Sequence, residues 1–522
     1  MEKHRTLSVY YYQENSMIKR VQKEKKFFIS QEEIKNRHPE EVPCSTDVDY
    51  AKFASVLRTH IEEAGLSDLT EEDKFNLALN LAMYQEDVIS EAGIWRAFTD
   101  LMYARYGKYV PFYSVDEEYL RDEPNLQDVA FIIWYTLIRH RGDHRQITNP
   151  ETPALMQLAA ALYDVLLEWF DKLPVNDDLP VFFEQAAFAD DFEDQRCILQ
   201  WFVTDCYLTY DMEFDTWLDD ETEMHLEAFR GNMDSAETVA MRGLLYDYRV
   251  GPLALYPKEW LAAVLRANHN EKCAVRVESQ EYRKADFVRT EKLESDGGCL
   301  SCEGVDGARF TVAKGQYMNT SFDALNIAYG GFVKYDGVWY ANGDLVCYNV
   351  ENKDGWKNLK RIYENKKKAK TAEGKNIMAL IKKSGGFPFF FFETRQEVMD
   401  FLTVKLKYTN ERARTYLSDA DIYGHAVVCL LPESSDVLAT GTLSTCLCDE
   451  RNPYYDSEQA AKSGFSKALS MPTSLLRYAM EHNMLPDVGM NSVYGAERGQ
   501  TLFRENYDLL QRAVMGNELI EG

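Results

Sequence analysis

Apolar residues recur at helical spacing through about two hundred residues that follow Asp47. Phe53, Leu57 and Ile61 share one helical face, and Gly65 follows them as a stop signal. The residues Thr70-Glu-Glu-Asp73 form a capping-box pattern, which predicts the start of the next helix. Further helices are predicted over residues 89–106, 126–139, 154–173, 195–208, 217–229 and 237–249. This part of the chain is therefore predicted to be a helical domain.

The pattern changes after Ala267 to short runs rich in Val, Tyr and Phe. Asp-Gly and Asn-Gly pairs separate these runs, and both residues of a type I′ hairpin turn need positive φ. Residues 331–343 have the pattern of one such hairpin that leads into a further turn. The spacing predicts a small barrel or compact sheet inserted between helical regions.

The last part of the chain combines a basic segment with a mixed pattern. Residues 353–383 contain eleven Lys or Arg and three acids, which is typical of a helix or a flexible strap. Strands are predicted over 387–392 and 425–431. Helices are predicted over 397–407, 473–483 and 501–515.

These patterns predict an α+β multidomain protein: a mostly helical N-terminal domain, a small β-barrel-like insert and an α+β C-terminal domain. The predicted segments are an N-terminal extension (1–44), the helical domain (45–267), the small β-rich barrel-like domain (268–352), the basic connector (353–385) and the α+β C-terminal domain (386–522).

Composition narrows the class of protein. The chain has 522 residues, of which 45% are hydrophobic, so extensive disorder is excluded. Its net charge of -27 has the wrong sign for a protein that coats nucleic acid or anionic membranes. No signal peptide, membrane-spanning stretch or disulfide framework is recognisable, which predicts a cytoplasmic protein that does not bind membranes.

Much of the excess negative charge lies in one acidic block, residues 177–227, with sixteen Asp or Glu and one base. Such a surface could hold a basic protein partner, or it could be the solvated face of amphipathic helices. An EF-hand is not indicated, because Thr216 stands where the loop needs glycine. The candidate binding residues in the block are Asp211, Glu213, Asp215, Asp219 and Asp220.

The basic connector is the second candidate binding segment, through Lys366, Lys367, Lys368 and Lys370. These lysines could contact nucleic-acid phosphates, or they could pair with the acidic block within one chain or across a dimer. An exposed linker is the simpler interpretation. Nucleic acid is therefore possible but not the favoured partner.

Two weak chemical patterns remain. Cys299 and Cys302 form a CxxC, and the other tight pair, Cys446 and Cys448, belongs to a different predicted domain, so zinc is not predicted. Asp344, Glu351 and Lys353 have the spacing of a Mg²⁺-dependent nuclease, a pattern that arises by chance in charged chains. Whether the protein is an enzyme stays open, and no cofactor is predicted.

Three strings carry a family resemblance: residues 86–98, 105–113 and 124–135. With them the chain resembles an uncharacterised bacterial family that carries a domain-of-unknown-function label, best over residues 40–170. The resemblance implies no activity, cofactor or site residue.

Three hypotheses follow from the sequence. The favoured one is a non-enzymatic protein-interaction protein with segregated acidic and basic surfaces. The alternatives are a nucleic-acid-binding protein and a Mg²⁺-dependent nuclease-like enzyme.

Overall fold

The computed structural model describes residues 27–66, 68–113, 119–140, 149–188, 192–293, 299–313, 326–348, 353–418, 420–485 and 492–520. The chain divides into two compact units. The first comprises Met1–Gly142, Pro150–Asp211 and Trp260–Ala274, and the second comprises Asp143–Asn149, Met212–Glu259 and Val275–Gly522.

Helices make up most of the described chain up to residue 278. They are α1 (Gln31–Lys35), α2 (Asp47–Glu63), α3 (Glu71–Ile89), α4 (Ile94–Tyr106), α5 (Leu126–His140), α6 (Pro153–Phe170), α7 (Asp178–Phe188), α8 (Phe192–Thr204), α9 (Phe214–Leu226), α10 (Met233–Asp247), α11 (Pro257–Ala267) and α12 (Glu271–Glu278). A 3₁₀ turn, Pro39–Glu41, lies between α1 and α2. The helical character predicted for residues 45–267 is confirmed for the described residues, whereas the two compact units divide this range at residues 211/212 and 259/260.

Strands and helices follow in mixed order. They are β1 (Glu281–Leu293), β2 (Cys299–Gly304), β3 (Arg309–Val312), β4 (Asn326–Tyr335), β5 (Val338–Ala341), β6 (Val346–Tyr348), α13 (Lys353–Lys383), β7 (Phe389–Phe392), α14 (Arg395–Asp400), α15 (Asn410–Ser418), β8 (Ala426–Leu431), β9 (Asp436–Thr440), α16 (Ser457–Gln459), α17 (Phe465–Ala468), α18 (Thr473–Glu481), α19 (Ala496–Glu505) and α20 (Tyr507–Met515). The mixed α and β composition is confirmed, and no described helix is long and apolar enough to cross a membrane.

Local chemistry explains where several helices begin. Thr70 accepts from the backbone N–H of Asp73, and the Asp73 carboxylate accepts from the N–H of Thr70, so the predicted capping box is present. Pro153 occupies the first position of α6, where its missing N–H costs no hydrogen bond, and the Thr152 side chain before it makes no capping hydrogen bond.

One predicted helix, 89–106, is wrong in its first turn. Gly93 has φ of 92°, so α3 ends before it and α4 starts after it. A Cβ atom at Gly93 would lie 2.5 Å from Oδ1 of Asn268, so only glycine fits. The predicted helix 501–515 is likewise two helices, which meet at Asn506.

Aromatic rings fill the core of the first unit. Phe98 stacks on Phe131 with ring centroids 5.0 Å apart, and Phe112 meets Trp134 edge-on at 4.7 Å. All four rings are buried. The apolar helix faces that the sequence pattern predicts therefore pack together in one aromatic cluster.

The predicted barrel-like insert is instead a six-stranded sheet, with strand order β1-β2-β3-β5-β4-β6 and an additional pairing of β1 with β4. Among the described residues, β3 meets β5 at one residue pair, Val312 with Trp339. The strands lack a continuous ladder there, so the sheet is not closed into a barrel. The spacing of turn residues could not reveal this, because it fixes hairpins but not the pairing of distant strands.

The hairpin predicted over 331–343 is confirmed as β4 and β5. Its turn residues Asp336 and Gly337 have φ of 48° and 80°, as a type I′ turn requires. A second sheet, β7-β8-β9, is antiparallel and buries Val428 and Leu430 against Ile377 of α13. The five-segment domain division stays a prediction.

The hairpin turn gives a stability prediction. Gly337→Ala should destabilise the protein by about 1–2 kcal/mol, because the backbone of the new alanine must keep a positive φ, which its Cβ atom disfavours. Gly424→Ala is the matched control, since its added Cβ meets nothing within 4 Å and its φ is ordinary. Thermal melting followed by circular dichroism should show a lower midpoint for Gly337→Ala alone, and equal midpoints would contradict the turn assignment.

Candidate functional site

The acidic candidates lie at the beginning of α9 and before it. Asp215, Asp219 and Asp220 are exposed on the helix, whereas Glu213 precedes it and is half-buried. Asp211 is the last residue of the first unit in this part of the chain. The helix therefore presents acidic side chains to solvent on one side and buries Phe214 and other apolar residues on the other.

The nuclease-like candidates are described only in part. Oδ2 of Asp344 accepts a hydrogen bond of 2.7 Å from the Ser235 hydroxyl. Glu351 lies outside the described residues, and so does the side chain of Lys353, the first residue of α13. The proposed grouping of the three therefore stays a prediction.

The cysteine candidates are thiols in different settings. Cys302 is buried in the core of the six-stranded sheet, where burial raises its pKa to about 12, and Cys299 is half-buried. Cys446 is buried and Cys448 is exposed, both outside any strand. Neither pair belongs to a group of three metal-ligating side chains in the described part of the chain.

The basic candidates lie on the exposed surface of α13. Lys366, Lys367, Lys368 and Lys370 all point into solvent. Lys370 approaches Asp436 of the second sheet at 3.9 Å, a weak ion pair between exposed groups.

The second unit contains a pocket of about 330 Å³ between the helix pair α9–α10 and strands β1 and β4. Apolar contacts among Phe229, Ala236, Val239 and Tyr329 pack the helix pair against the sheet. The polar residues that line the pocket are Glu221, His225, Asp247, Tyr282, Lys284 and Tyr329. Convergent polar groups in a concave site of this size are typical of a ligand-binding site.

His225 contacts two other residues of this lining, Tyr329 and Glu221. Its Nδ1 and the Tyr329 hydroxyl are 2.8 Å apart, within one hydrogen bond, and its Nε2 is 3.7 Å from Oε2 of Glu221. Burial lowers the pKa of His225, so the ring is neutral at pH 7. Burial raises the pKa of Tyr329 to about 12, so the phenol keeps its proton and can donate it to Nδ1. The ring N–H then lies at Nε2 and faces Glu221.

The two carboxylates of the pocket have different partners. Lys284 forms an ion pair with Asp247. Burial and the neighbouring charges of Asp247 and Asp220 raise the pKa of Glu221, whereas Lys284 lowers it. Lys284 is paired with Asp247 and His225 is neutral, so among the described residues no cation lies within ion-pair distance of the Glu221 carboxylate.

A close helix–strand approach shapes the pocket wall. A Cβ atom at Gly243 of α10 would lie 2.7 Å from the Tyr282 hydroxyl, so glycine allows β1 to approach the helix. Tyr282 in turn stacks on Tyr246, with ring centroids 5.6 Å apart. The pocket thus has a rigid aromatic wall next to a carboxylate.

Sequence reasoning missed most of this pocket. Glu221 lies within the acidic block but is not one of the candidate binding residues predicted there. His225 follows it by four residues on the same helical face. That spacing was the one available signal. Tyr282, Lys284 and Tyr329 come from strands distant in the sequence, and no local pattern marks them.

The neutral state of His225 gives a pH prediction. NMR titration of its ring protons should give a midpoint below the ordinary 6.5. Because the pKa of His225 is lower in the folded state, the unfolded chain binds this proton more readily as the pH falls below 6.5. The stability present above pH 6.5 is therefore lost progressively below it. His225→Gln should therefore lose less stability than wild type between pH 6.5 and 5 in urea unfolding. The control is exposed His482→Gln, which should follow wild type, and a midpoint at or above 6.5 would contradict the assignment.

Comparison with known proteins gives a family and no activity. A family described as "Protein of unknown function (DUF3843)" matches residues 31–292 and 348–516. The matched segments include Glu221 and His225, whereas Tyr329 lies between them. No curated protein and no solved structure matches the chain. The family resemblance carried by the N-terminal helices is thereby confirmed, and the chain belongs to this family of unknown function.

Proposed function

We propose that the chain is a non-enzymatic binding protein whose acidic helix α9 holds a basic protein segment, with one Lys or Arg side chain entering the pocket. One observation carries this proposal: the Glu221 carboxylate faces the pocket, while the nearby Lys284 is paired with Asp247. A cationic side chain is the ligand that supplies the missing charge.

The negative charge of α9 supports the proposal that the partner is basic. Asp215, Asp219, Asp220 and Glu223 are exposed on this helix, all within two turns of Glu221. Several like charges on one short surface raise the local potential and attract a partner of opposite sign. Such a surface increases the association rate and selects against acidic partners.

The shape and chemistry of the pocket favour a long cation. A volume of about 330 Å³ is at the lower end of the range for organic ligands and is ample for one side chain. The Tyr282 and Tyr329 rings line it, and an aromatic face attracts an ammonium or guanidinium group. The neutral His225 adds no repulsion to an incoming cation.

Glu221→Gln tests the proposal, because it removes the charge and keeps the shape. The probe is a ten-residue peptide of alternating Arg and Gly, measured by isothermal titration calorimetry. We expect about tenfold weaker binding, or 1.4 kcal/mol, for the loss of one charged contact. Glu364→Gln on α13 is the matched control with the same change of charge at an exposed position.

Two results would overturn the proposal. One is equal peptide affinity for wild type and Glu221→Gln. The other is an equal loss for Glu364→Gln, which would indicate only the general negative charge of the protein. Replacing Asp219 and Asp220 with Asn should lower the association rate more than it raises the dissociation rate, as expected for charges at the rim of an interface.

Nucleic-acid binding is the second candidate function, favoured by the exposed lysines of α13. Replacing Lys366, Lys367, Lys368 and Lys370 with Gln should abolish retardation of single-stranded RNA in a gel. Wild-type affinity should fall steeply with salt, because phosphate contacts release counterions. A flat salt response, or unchanged binding by the quadruple variant, would contradict this function.

The nuclease-like alternative depends on the grouping of Asp344, Glu351 and Lys353. It requires Mg²⁺-dependent cleavage of nucleic acid that both Asp344→Ala and Glu351→Ala abolish. Cleavage that survives both changes would remove these residues as the site.

We also infer that the protein is cytoplasmic and, from its family resemblance, bacterial. No disulfide joins the cysteines of the described residues, and thiols persist in a reducing compartment.

A further inference from the structure

Three metal-ligating side chains come together in the first unit, around the turn between α1 and α2. His38 precedes the 3₁₀ turn, whose residues Glu40 and Glu41 have positive φ of 57° and 51°. This tight turn folds the chain back, so that Cys44 and Asp47 return to the His38 ring. The three donor atoms all lie within 4.8 Å of one another.

The donor atoms are buried, and two of them lack a hydrogen-bond partner among the described residues. The side chains of His38 and Asp47 are 1% and 7% exposed, and Cys44 is also buried. Nδ1 of His38 and Oδ1 of Asp47 lie 3.4 Å apart, and neither has a hydrogen-bond partner among the described residues. Two buried polar atoms that face each other without a hydrogen bond need an explanation, and one explanation is a bound ion.

Surrounding hydrogen bonds hold the donors in place. His38 Nε2 is 2.9 Å from Oε2 of Glu86, which leaves Nδ1 directed at the other donors. The second oxygen of Glu86 accepts from Thr46 and from Asn176. Metal-binding histidines characteristically have their second nitrogen bonded to a carboxylate in this way.

The Asp47 carboxylate is oriented as well. Its Oδ2 accepts a hydrogen bond of 3.0 Å from the backbone N–H of Cys44, so Oδ1 is the oxygen left for a metal. In a tetrahedral zinc site, nitrogen and oxygen ligands about 2.1 Å from the metal lie about 3.4 Å apart. The observed separation between Nδ1 and Oδ1 has this value.

We propose that His38 Nδ1, Cys44 Sγ and Asp47 Oδ1 bind a zinc ion, with the fourth position open to water or an external ligand. The thiol selects against Mg²⁺ and Ca²⁺, which prefer oxygen ligands, and favours zinc. Thiolate, imidazole and carboxylate together are a donor set that zinc accepts. This proposal does not depend on the pocket of the second unit.

A metal-free ion pair is the competing explanation. In that state a protonated His38 ring lies between two carboxylates, with Nε2 2.9 Å from Oε2 of Glu86 and Nδ1 3.4 Å from Oδ1 of Asp47. If no metal enters, the ring keeps its proton on Nδ1, and no lone pair is available there. Zinc binding must therefore release protons, which makes it weaker at low pH.

Cobalt substitution distinguishes the two explanations. The full-length protein, reduced and freed of metal with a chelator, is titrated with Co²⁺ and its absorption is recorded. We expect one equivalent to produce the visible bands of tetrahedral cobalt and a near-ultraviolet thiolate-to-cobalt band, and one equivalent of Zn²⁺ to remove both. Cys44→Ser should lose the thiolate band, and Glu86→Gln should weaken binding about ten- to a hundredfold.

The control is the double variant Cys299→Ser, Cys302→Ser, which removes a different cysteine pair and should bind Co²⁺ like wild type. Melting temperature gives a second measurement: Zn²⁺ should raise it in wild type and in this control. If Cys44→Ser does not fold, Asp47→Asn takes its place and should lose at least tenfold in Co²⁺ affinity. Absence of the bands in wild type, survival of the thiolate-to-cobalt band in Cys44→Ser, or an unchanged Co²⁺ affinity of Asp47→Asn would overturn the proposal.

Discussion

A charge removed from water must be matched by hydrogen-bond donors or by opposite charge, and the first unit depends on this constraint. Asp87 near the end of α3 is fully buried. It accepts hydrogen bonds from the backbone N–H groups of Ile94 and Trp95, and a third from the Tyr207 hydroxyl. Burial raises its pKa to about 6, although these hydrogen bonds oppose the rise. One carboxylate thereby fixes the start of α4 and ties α3 to the chain after α8.

The same constraint identifies the two candidate sites, because there it is not fully met. Glu221 lines a pocket in which the nearby lysine is paired with Asp247. In the first unit, His38 Nδ1 and Asp47 Oδ1 face each other without a hydrogen bond. Structural carboxylates such as Asp87 have their donors within the fold, whereas we propose that these groups gain theirs from outside it. A basic side chain would match the first, and a metal ion would match the second.

The sequence predicted those features that a few neighbouring residues determine. Thr70 and Asp73 cap a helix wherever that helix packs, because both hydrogen bonds close within three residues. Asp336 and Gly337 specify a hairpin turn through their own φ angles. Helical spacing likewise marked most of the N-terminal helices. The same local signals did not show the break between α3 and α4, where Gly93 has a φ of 92°. The atom that a side chain at this position would meet belongs to Asn268, which is distant in the sequence.

The tertiary structure alone decided the strand pairing and both candidate sites. The sheet is not closed into a barrel, and among the described residues β3 and β5 meet at one residue pair, which no turn signal encodes. His225 meets Tyr329 across 104 residues, and His38 meets Glu86 across 48. A sequence pattern identifies residues that share one helix face or one turn. By itself it determined the helices, the hairpin and the acidic character of α9, whereas folding decided which charges became buried and which of them lacked a partner.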